Sequence, residues 1–198
     1  ESKLRPQTDL FNLLEIEFVQ GRSQKILTDL FLLSSFQRTK NYLYKVRYFY
    51  LISEKINNLI LGEEKDERIF YLLKEVFELI DRSFVSKKIC LFYLYFFWKL
   101  IAFLGWGVDF YRYLCCSEKI SKGKNFFLAS ENGFFCEKCY KEKKRKEGRV
   151  VSENLLKGLR LLSQGPRLLE KVRMKEKILE ELFSFSEDYY FSLKRNQL

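Results

Sequence analysis

The chain contains 198 residues, of which 47% are apolar and 17% are aromatic, so it is long and apolar enough to bury a core. Its formal net charge of +10 indicates an anionic partner, such as nucleic acid, an acidic protein tail or anionic lipid. The absence of histidine excludes Ser-His and Cys-His catalytic pairs and histidine metal ligands, and no glycine-rich phosphate-binding motif is present; we therefore expect no enzymatic activity.

The first predicted elements are two strands within residues 11–28. Apolar and polar residues alternate up to Phe18, Gly21-Arg22 indicates a turn, and a second apolar pair comes next at residues 26–27. Two strands are not stable by themselves, so they belong to a larger sheet or pack on the chain after residue 28. Thr28 is a candidate N-cap, which predicts a short helix from Asp29 to Phe36.

The rest of the chain shows mainly helical periodicity, closed in places by glycine. After a segment without clear periodicity, one later helix is predicted to begin near Ser152 and another at Pro166, which suits a first helical turn. The last helix is predicted to reach about Lys194. The three long helices before the cysteines are predicted at residues 41–61, 65–81 and 86–104.

The third of these helices is apolar on nearly every side. From Cys90 to Gly107 the only charge is Lys99, and Cys90 itself suits a buried structural position. A membrane span and the central buried helix of an all-α domain both fit this pattern. Because amphipathic helices flank it and need a surface to pack on, we favour the buried helix and expect no membrane association.

Four of the five cysteines form a two-part motif. Cys136 and Cys139 make a Cys-x-x-Cys, which directs two thiolates at one metal, and 19 residues separate Cys136 from Cys116, a spacing typical of zinc ribbons. The first half is irregular, because Tyr113 stands where a second Cys-x-x-Cys would begin and Cys115 adjoins Cys116. Three interpretations remain: zinc bound by Cys115, Cys116, Cys136 and Cys139; a metal-free hairpin of the same shape; and a redox role for the adjacent pair.

Basic residues concentrate around this motif. A solvated loop would explain them, as would contacts to nucleic-acid phosphates, with exposed aromatic rings stacking on bases. The aromatic residues of the helix at 41–61 suit either such stacking or an interface with another domain. The candidate phosphate contacts are Lys122, Lys124, Lys143, Lys144, Arg145, Lys146 and Arg149.

The segment from Leu104 to Phe110, Leu-Gly-Trp-Gly-Val-Asp-Phe, leads directly into the cysteines. Phe127 to Cys139 continues with Asn132-Gly133 and the Cys-x-x-Cys. These two segments resemble the RecO family of bacterial recombination mediators. In that family Leu-Gly-Tyr-Gly precedes a two-part cysteine motif, the knuckle, and Gly-Gly precedes the second half of the knuckle. Residues 4–6 and 13–18 are similar to the family's late OB-fold strands.

The resemblance implies a mainly α fold. Residues 29–198 would form an all-helical domain with a zinc-ribbon-like cysteine knuckle at 113–140, preceded by the last strands of an OB-fold at 1–28. It also implies a cytoplasmic, nucleoid-associated protein that binds single- and double-stranded DNA and anneals complementary strands. Its further partners would be RecR, the RecA recombinase and the acidic tail of single-stranded-DNA-binding protein.

Two positions depart from the family pattern. Tyr113 replaces the first expected zinc ligand, and the uncharged residues 94–96 stand where the family has arginines that hold the acidic tail. Lys87, Lys88 and Lys99 are the candidate substitutes for those arginines. The alternative functions are a zinc-ribbon module of transcription or RNA processing, and a membrane-associated protein using residues 90–107; detergent-free solubility would exclude the latter.

Overall fold

A computed structural model of the chain describes residues 9–60, 62, 65–142 and 147–197. The elements form a β-hairpin, a bundle of helices and a three-stranded sheet inserted between the fourth and sixth helices. The strands are β1 (Leu13–Gln20), β2 (Lys25–Ser34), β3 (Asn125–Leu128), β4 (Gly133–Cys136) and β5 (Arg149–Val151). The helices are α1 (Gln37–Lys40), α2 (Leu43–Leu59), α3 (Glu67–Arg82), α4 (Ser86–Phe103), α5 (Glu137–Glu142), α6 (Glu153–Ser163), α7 (Pro166–Lys171) and α8 (Glu176–Gln197).

Strands β1 and β2 pair in antiparallel register, which confirms the strand-turn-strand prediction but not the helix after it. Residues 29–34 continue β2, with Leu30 opposite Ile16 and Leu32 opposite Leu14. The helix predicted from Asp29 to Phe36 is therefore wrong, because pairing with β1 overrides the local helical signal. The boundary expected at residue 28 falls inside β2, and the assignment of this hairpin to an OB-fold stays a prediction.

Helix α4 is the centre of the helical bundle. Ten consecutive residues, 89–98, are buried, so the helix is enclosed on all sides by α2, α3, α6, α7 and α8. Its uniformly apolar sequence thus matches the interior of a globular domain. Within the described ranges, none of the helices combines the length and apolarity that crossing a membrane would require.

The neighbouring helices begin where local signals predict. The Asp66 carboxylate caps α3 by accepting the backbone N–H of Arg68 at 2.9 Å, and Ser152 caps α6 by accepting that of Leu155 at 3.0 Å. Pro166 occupies the first turn of α7. Helices α3 and α6 each turn an apolar stripe towards α4 and leave charged residues outside.

The aromatic residues of α2 divide between the core and the surface. Phe49 is fully buried and its ring stacks on Phe77 with centroids 3.7 Å apart. Phe11, just before β1, meets Phe49 and Tyr50 edge-on at 5.4 and 4.9 Å. Helix α2 thus packs against the segment leading into the hairpin, while Tyr44 near its start stays partly exposed.

Candidate metal centre and nucleic-acid interface

The knuckle is built on a short hairpin. Strand β3 pairs with β4 from Asn125 opposite Cys136 to Leu128 opposite Gly133, and β5 adds a third strand. Asn132 adopts the left-handed conformation in the turn, with φ of 51°. A Cβ at Gly133 would lie 2.8 Å from the Leu114 side chain. Glycine is therefore required where the first half of the knuckle docks on the second.

Three cysteine thiols meet at one end of this hairpin. The sulfurs of Cys116, Cys136 and Cys139 all lie within 4.8 Å of one another. The backbone N–H of Cys139 donates to the Cys136 Sγ at 3.4 Å, as in a turn that presents two thiolates to a metal. Exposure falls from Cys116, which is exposed, through Cys136 to the buried Cys139. This arrangement is close enough to hold a metal ion.

The thiols also shift each other's ionisation. Burial opposes ionisation of Cys136, but hydrogen bonds from the backbone and thiol of Cys139 and from the Cys116 thiol outweigh it, so the pKa of Cys136 is lowered. The pKa of Cys139 is raised to about 12 by its hydrogen bond to Cys136, by burial and by the thiol of Cys115. Cys115, the fourth predicted ligand, is exposed and is not among the three sulfurs that lie within 4.8 Å of one another. Soft thiolate donors of this kind suit zinc, so the residues present fit the ion.

Tyr113 does not join this cluster. Its side chain is 5% exposed, its hydroxyl donates to the Asn125 Oδ1 at 2.6 Å, and it accepts the backbone N–H of Ser121 at 3.2 Å. The Asn125 amide donates in turn to the carbonyls of Ser121 and Gly123 at 3.1 and 3.2 Å. The position that the resemblance led us to expect as a zinc ligand is thus a buried tyrosine, whose hydrogen bonds to Asn125 and Ser121 close the knuckle. Asn125 was not predicted as part of the knuckle. The only local signal for it is its position directly before the Phe126-Phe127 pair.

The knuckle is joined to the segment that precedes it through α8. The Tyr189 hydroxyl lies 3.1 Å from the carbonyl oxygen of Trp106 and 2.8 Å from the Oδ1 of Asn132. Its ring stacks on Trp98 of α4 with centroids 5.4 Å apart. The Leu-Gly-Trp-Gly segment and the knuckle turn are therefore parts of one packed unit.

The candidate nucleic-acid residues fall into three groups. Lys122 and Lys124 are exposed just before β3. Arg149 forms an ion pair with Asp188 on α8 and lies over the Phe185 ring, so its guanidinium is engaged within the protein. Lys143, Lys144, Arg145 and Lys146 lie outside the described residues.

The three candidate tail-binding lysines are separated. Lys87 forms an ion pair of 3.2 Å with Glu176 at the start of α8. Lys88 donates to the carbonyl oxygens of Leu169 and Glu170, at 2.6 and 2.7 Å, and of Val172. Lys99 is half-buried and lines a cavity of about 210 Å³, whose walls include Trp98, Val108, Phe110, Tyr111 and Leu162. The structure does not bring these lysines to one site.

Replacing Lys88 with methionine is expected to lower the free energy of unfolding by about 2 kcal/mol, because charge-assisted bonds to the carbonyls that end α7 are lost. Urea denaturation measures the change, and faster amide exchange at residues 169–175 would localise it. The matched control is Lys87→Met, whose exposed ion pair contributes at most about 1 kcal/mol. Equal losses for the two variants would contradict this role of Lys88.

Comparison with known proteins identifies one family. The family model described as "Recombination protein O C terminal" matches residues 42–192. The match begins just before α2 and ends within α8, so it includes the buried helix α4 and the whole knuckle. No curated protein matches the chain. Because this match covers more than half of the chain, the chain belongs to the RecO family.

Proposed function

We propose that this protein is a non-enzymatic recombination mediator that binds single- and double-stranded DNA, anneals complementary strands and helps to load recombinase onto coated single strands. The observation that carries the proposal is the family match over residues 42–192, a domain of recombination and repair proteins. The net charge of +10 supports DNA as the partner. Binding and displacement need no bond chemistry, which agrees with a site made of cations and thiols.

The knuckle is the proposed DNA contact. Lys122 and Lys124 are exposed on it, and the basic run 143–146 lies in the sequence between α5 and β5. Clustered lysine and arginine side chains of this kind neutralise DNA phosphates without recognising the base sequence. Arg149 is half-exposed, and its ion pair with Asp188 and its position over the Phe185 ring connect β5 to α8.

Zinc is the proposed metal of the knuckle, bound by Cys115, Cys116, Cys136 and Cys139. Bound zinc would supply a structural cross-link, with no part in catalysis. Zinc analysis of the purified chain is expected to give one ion per molecule, and cobalt substitution to give the absorption of a tetrahedral thiolate site. Cys139→Ser should abolish binding and Cys115→Ser should weaken it, whereas Cys90→Ala, on the buried α4, serves as the control. Full zinc content in Cys115→Ser would exclude Cys115 as the fourth ligand.

The acidic tail of single-stranded-DNA-binding protein is a proposed partner, together with RecR and the RecA recombinase. The cavity beside Lys99 supports the tail proposal, since it combines apolar walls with a half-buried cation; the acidic residue of its lining, Asp109, accepts the backbone N–H groups of Tyr111 and Arg112. A mediator that binds the coating protein is held at a high effective concentration near the DNA. It can therefore bind the DNA and displace the coating protein locally. Such a protein would act in the cytoplasm at the nucleoid.

Strand annealing is the direct test. Two complementary oligonucleotides, each coated with single-stranded-DNA-binding protein, are mixed with and without this protein at increasing salt. We expect annealing that depends on the protein and declines steeply with salt, as phosphate contacts require. DNA binding without annealing of coated strands would favour another class of nucleic-acid module, and no DNA binding at low salt would contradict the proposal.

A further inference from the structure

Three aromatic rings meet on the surface where α2 begins and where α3 leads into α4. Tyr42, Tyr44 and Phe84 are 43%, 40% and 59% exposed, and together they are called the aromatic cluster below. The centroid of the Tyr42 ring lies 5.8 Å from that of Tyr44 and 6.1 Å from that of Phe84. The neighbouring Leu43 and Val85 are more than half exposed. Contiguous exposed apolar surface of this kind indicates an interaction site.

The rings of the aromatic cluster are held in place from beneath. The Lys45 side chain is fully buried, and its ammonium lies 4.5 Å from the centroid of the Phe84 ring and 5.6 Å from that of Tyr42. The same ammonium donates to the carbonyl oxygen of Asp81 at 2.8 Å, and the Asp81 carboxylate accepts the backbone N–H of Thr39 at 2.7 Å. These contacts join α1, α2 and α3, so two of the exposed rings are ordered before a ligand binds.

Two arginines flank the aromatic cluster. Arg38 and Arg47 are exposed, and neither forms an ion pair with any residue that the structure describes. Arg47 follows Tyr44 by three residues on α2 and therefore lies on the same side of the helix. Burial lowers the pKa of Lys45, the charge of Asp81 opposes this shift and the charge of Arg38 adds to it, so Arg38 lies near the buried ammonium. The margin of the cluster is therefore positively charged.

Another pair of exposed rings provides a comparison. Phe70 and Tyr71 on α3 are 50% and 61% exposed, with ring centroids 5.6 Å apart. Their helix carries exposed carboxylates on both sides of the pair, at Glu67, Glu75 and Glu78. Of these two groups of rings, the aromatic cluster is the one whose flanking arginines have no ion pair among the described residues.

Exposed rings beside cations are the features that bind single-stranded nucleic acid without sequence preference, since every base has a π-face and every nucleotide a phosphate. We propose that the aromatic cluster stacks on the bases of single-stranded DNA, with Arg38 and Arg47 at its phosphates. This inference rests on the proposed function in taking DNA as the ligand. It adds a contact for unpaired bases that is separate from the cysteine knuckle and its basic residues.

The aromatic cluster and the knuckle lie at opposite ends of α4. Phe84 comes just before the first turn of α4, and Trp106 follows its last turn. The Tyr189 hydroxyl joins Trp106 to the knuckle turn at Asn132. A helix of 18 residues is about 27 Å long. The bases of a duplex are already stacked on each other, so duplex DNA should depend on the knuckle and not on the aromatic cluster.

Photo-cross-linking locates the contact on the unaltered protein. The full chain is mixed with a thymidine oligonucleotide that carries 5-iodouracil, irradiated in the near ultraviolet and analysed by mass spectrometry of its peptides. Because 5-iodouracil reacts with aromatic rings on which it stacks, we expect cross-links within the aromatic cluster. Cross-links confined to other aromatic residues would overturn the proposal.

The variant Tyr44→Ala/Phe84→Ala should weaken binding of the thymidine oligonucleotide by about tenfold or more and change binding of a blunt duplex by less than about twofold. Tyr44→Phe/Phe84→Tyr keeps both rings and should bind as the unaltered protein does. The matched control for exposed rings elsewhere is Phe70→Ala/Tyr71→Ala, which should retain binding. Equal weakening by the two alanine variants would contradict the proposal.

Salt dependence separates stacking from phosphate contacts. Arg38→Gln/Arg47→Gln should make the dependence of log K on log salt shallower by roughly 1.4, the share of two phosphate contacts on a single strand. Tyr44→Ala/Phe84→Ala should leave this slope unchanged, because stacking releases no counterions. An unchanged slope in the arginine variant would contradict the phosphate contacts.

Strand annealing by the same variants distinguishes this inference from the proposed function. If the unaltered protein anneals coated strands while Tyr44→Ala/Phe84→Ala binds the oligonucleotide undiminished, the aromatic cluster is no DNA contact and the proposed function stands. If oligonucleotide binding depends on the aromatic cluster but coated strands do not anneal, this inference stands and the proposed function fails. No binding of the oligonucleotide at low salt would contradict both.

Discussion

Replacing Glu187 with leucine is expected to lower the free energy of unfolding by about 3–5 kcal/mol, a large part of the stability of a domain of this size. The Lys55 ammonium, on a side chain only 1% exposed, donates to Glu187 Oε2 at 2.9 Å and lies 3.6 Å from the centroid of the Tyr190 ring. Tyr93 of α4 donates its hydroxyl to the other carboxylate oxygen. The variant therefore leaves both a buried charge and a buried hydroxyl without their acceptor.

The controls for this prediction restore the balance stepwise. Adding Lys55→Met removes the unpaired buried charge and should recover most of the lost free energy of unfolding. Adding Tyr93→Phe should recover most of the remainder, because apolar groups of similar size then pack in place of the polar network. Urea denaturation of the four proteins gives the free energies, with equal m-values as the check that the compact state is unchanged. A cost below about 1 kcal/mol for Glu187→Leu alone would show that water solvates Lys55.

The second large effect is expected from reversing charge on the knuckle. Lys122→Glu/Lys124→Glu should weaken DNA binding by about tenfold or more at low salt and make the dependence of log K on log salt shallower by roughly 1–2, the share of two phosphate contacts. Both side chains are exposed, so the fold should be retained. The charge of Lys124 also helps to lower the pKa of Glu137 on α5, after the larger contribution of Lys141.

The matched control is Lys65→Glu/Lys171→Glu, which changes the net charge equally at two exposed sites outside the knuckle. Fluorescence anisotropy with a labelled oligonucleotide, repeated at several salt concentrations, gives both affinity and slope. If the two double variants lose affinity equally, the attraction arises from net charge and the knuckle is not the contact.

Local patterns in the sequence account for the helices. The apolar stripe of α3, the caps at Asp66 and Ser152 and the proline at residue 166 are signals carried by a few neighbouring residues, and the structure begins helices at each. The same applies to α4, whose apolar residues on every side indicate a buried helix. The failed helix at residues 29–36 lies largely in a strand, because its partner β1 comes earlier in the chain and local periodicity does not report that pairing.

The candidate site was predictable only where the motif is local. The Cys-x-x-Cys predicts the contact between Cys136 and Cys139, and its spacing predicts Cys116 beside them, as the structure finds. The hydrogen bond from Tyr113 to Asn125 was not predictable. A buried tyrosine hydroxyl needs a hydrogen-bond partner, but only the tertiary structure determines which residue lies close enough to serve.

Composition and the spacing of nearby residues were enough to predict the mainly helical character, the buried central helix, the cysteine cluster and the positive charge. Which of the charged side chains remain available to a ligand depends on packing between helices that are distant in the sequence. Lys88 and Lys87 are adjacent in sequence, yet one is anchored on backbone carbonyls and the other forms an exposed ion pair. Lysine carries the same charge everywhere in the sequence, and only the packing of α7 and α8 against α4 determines which ammonium groups remain available to a ligand.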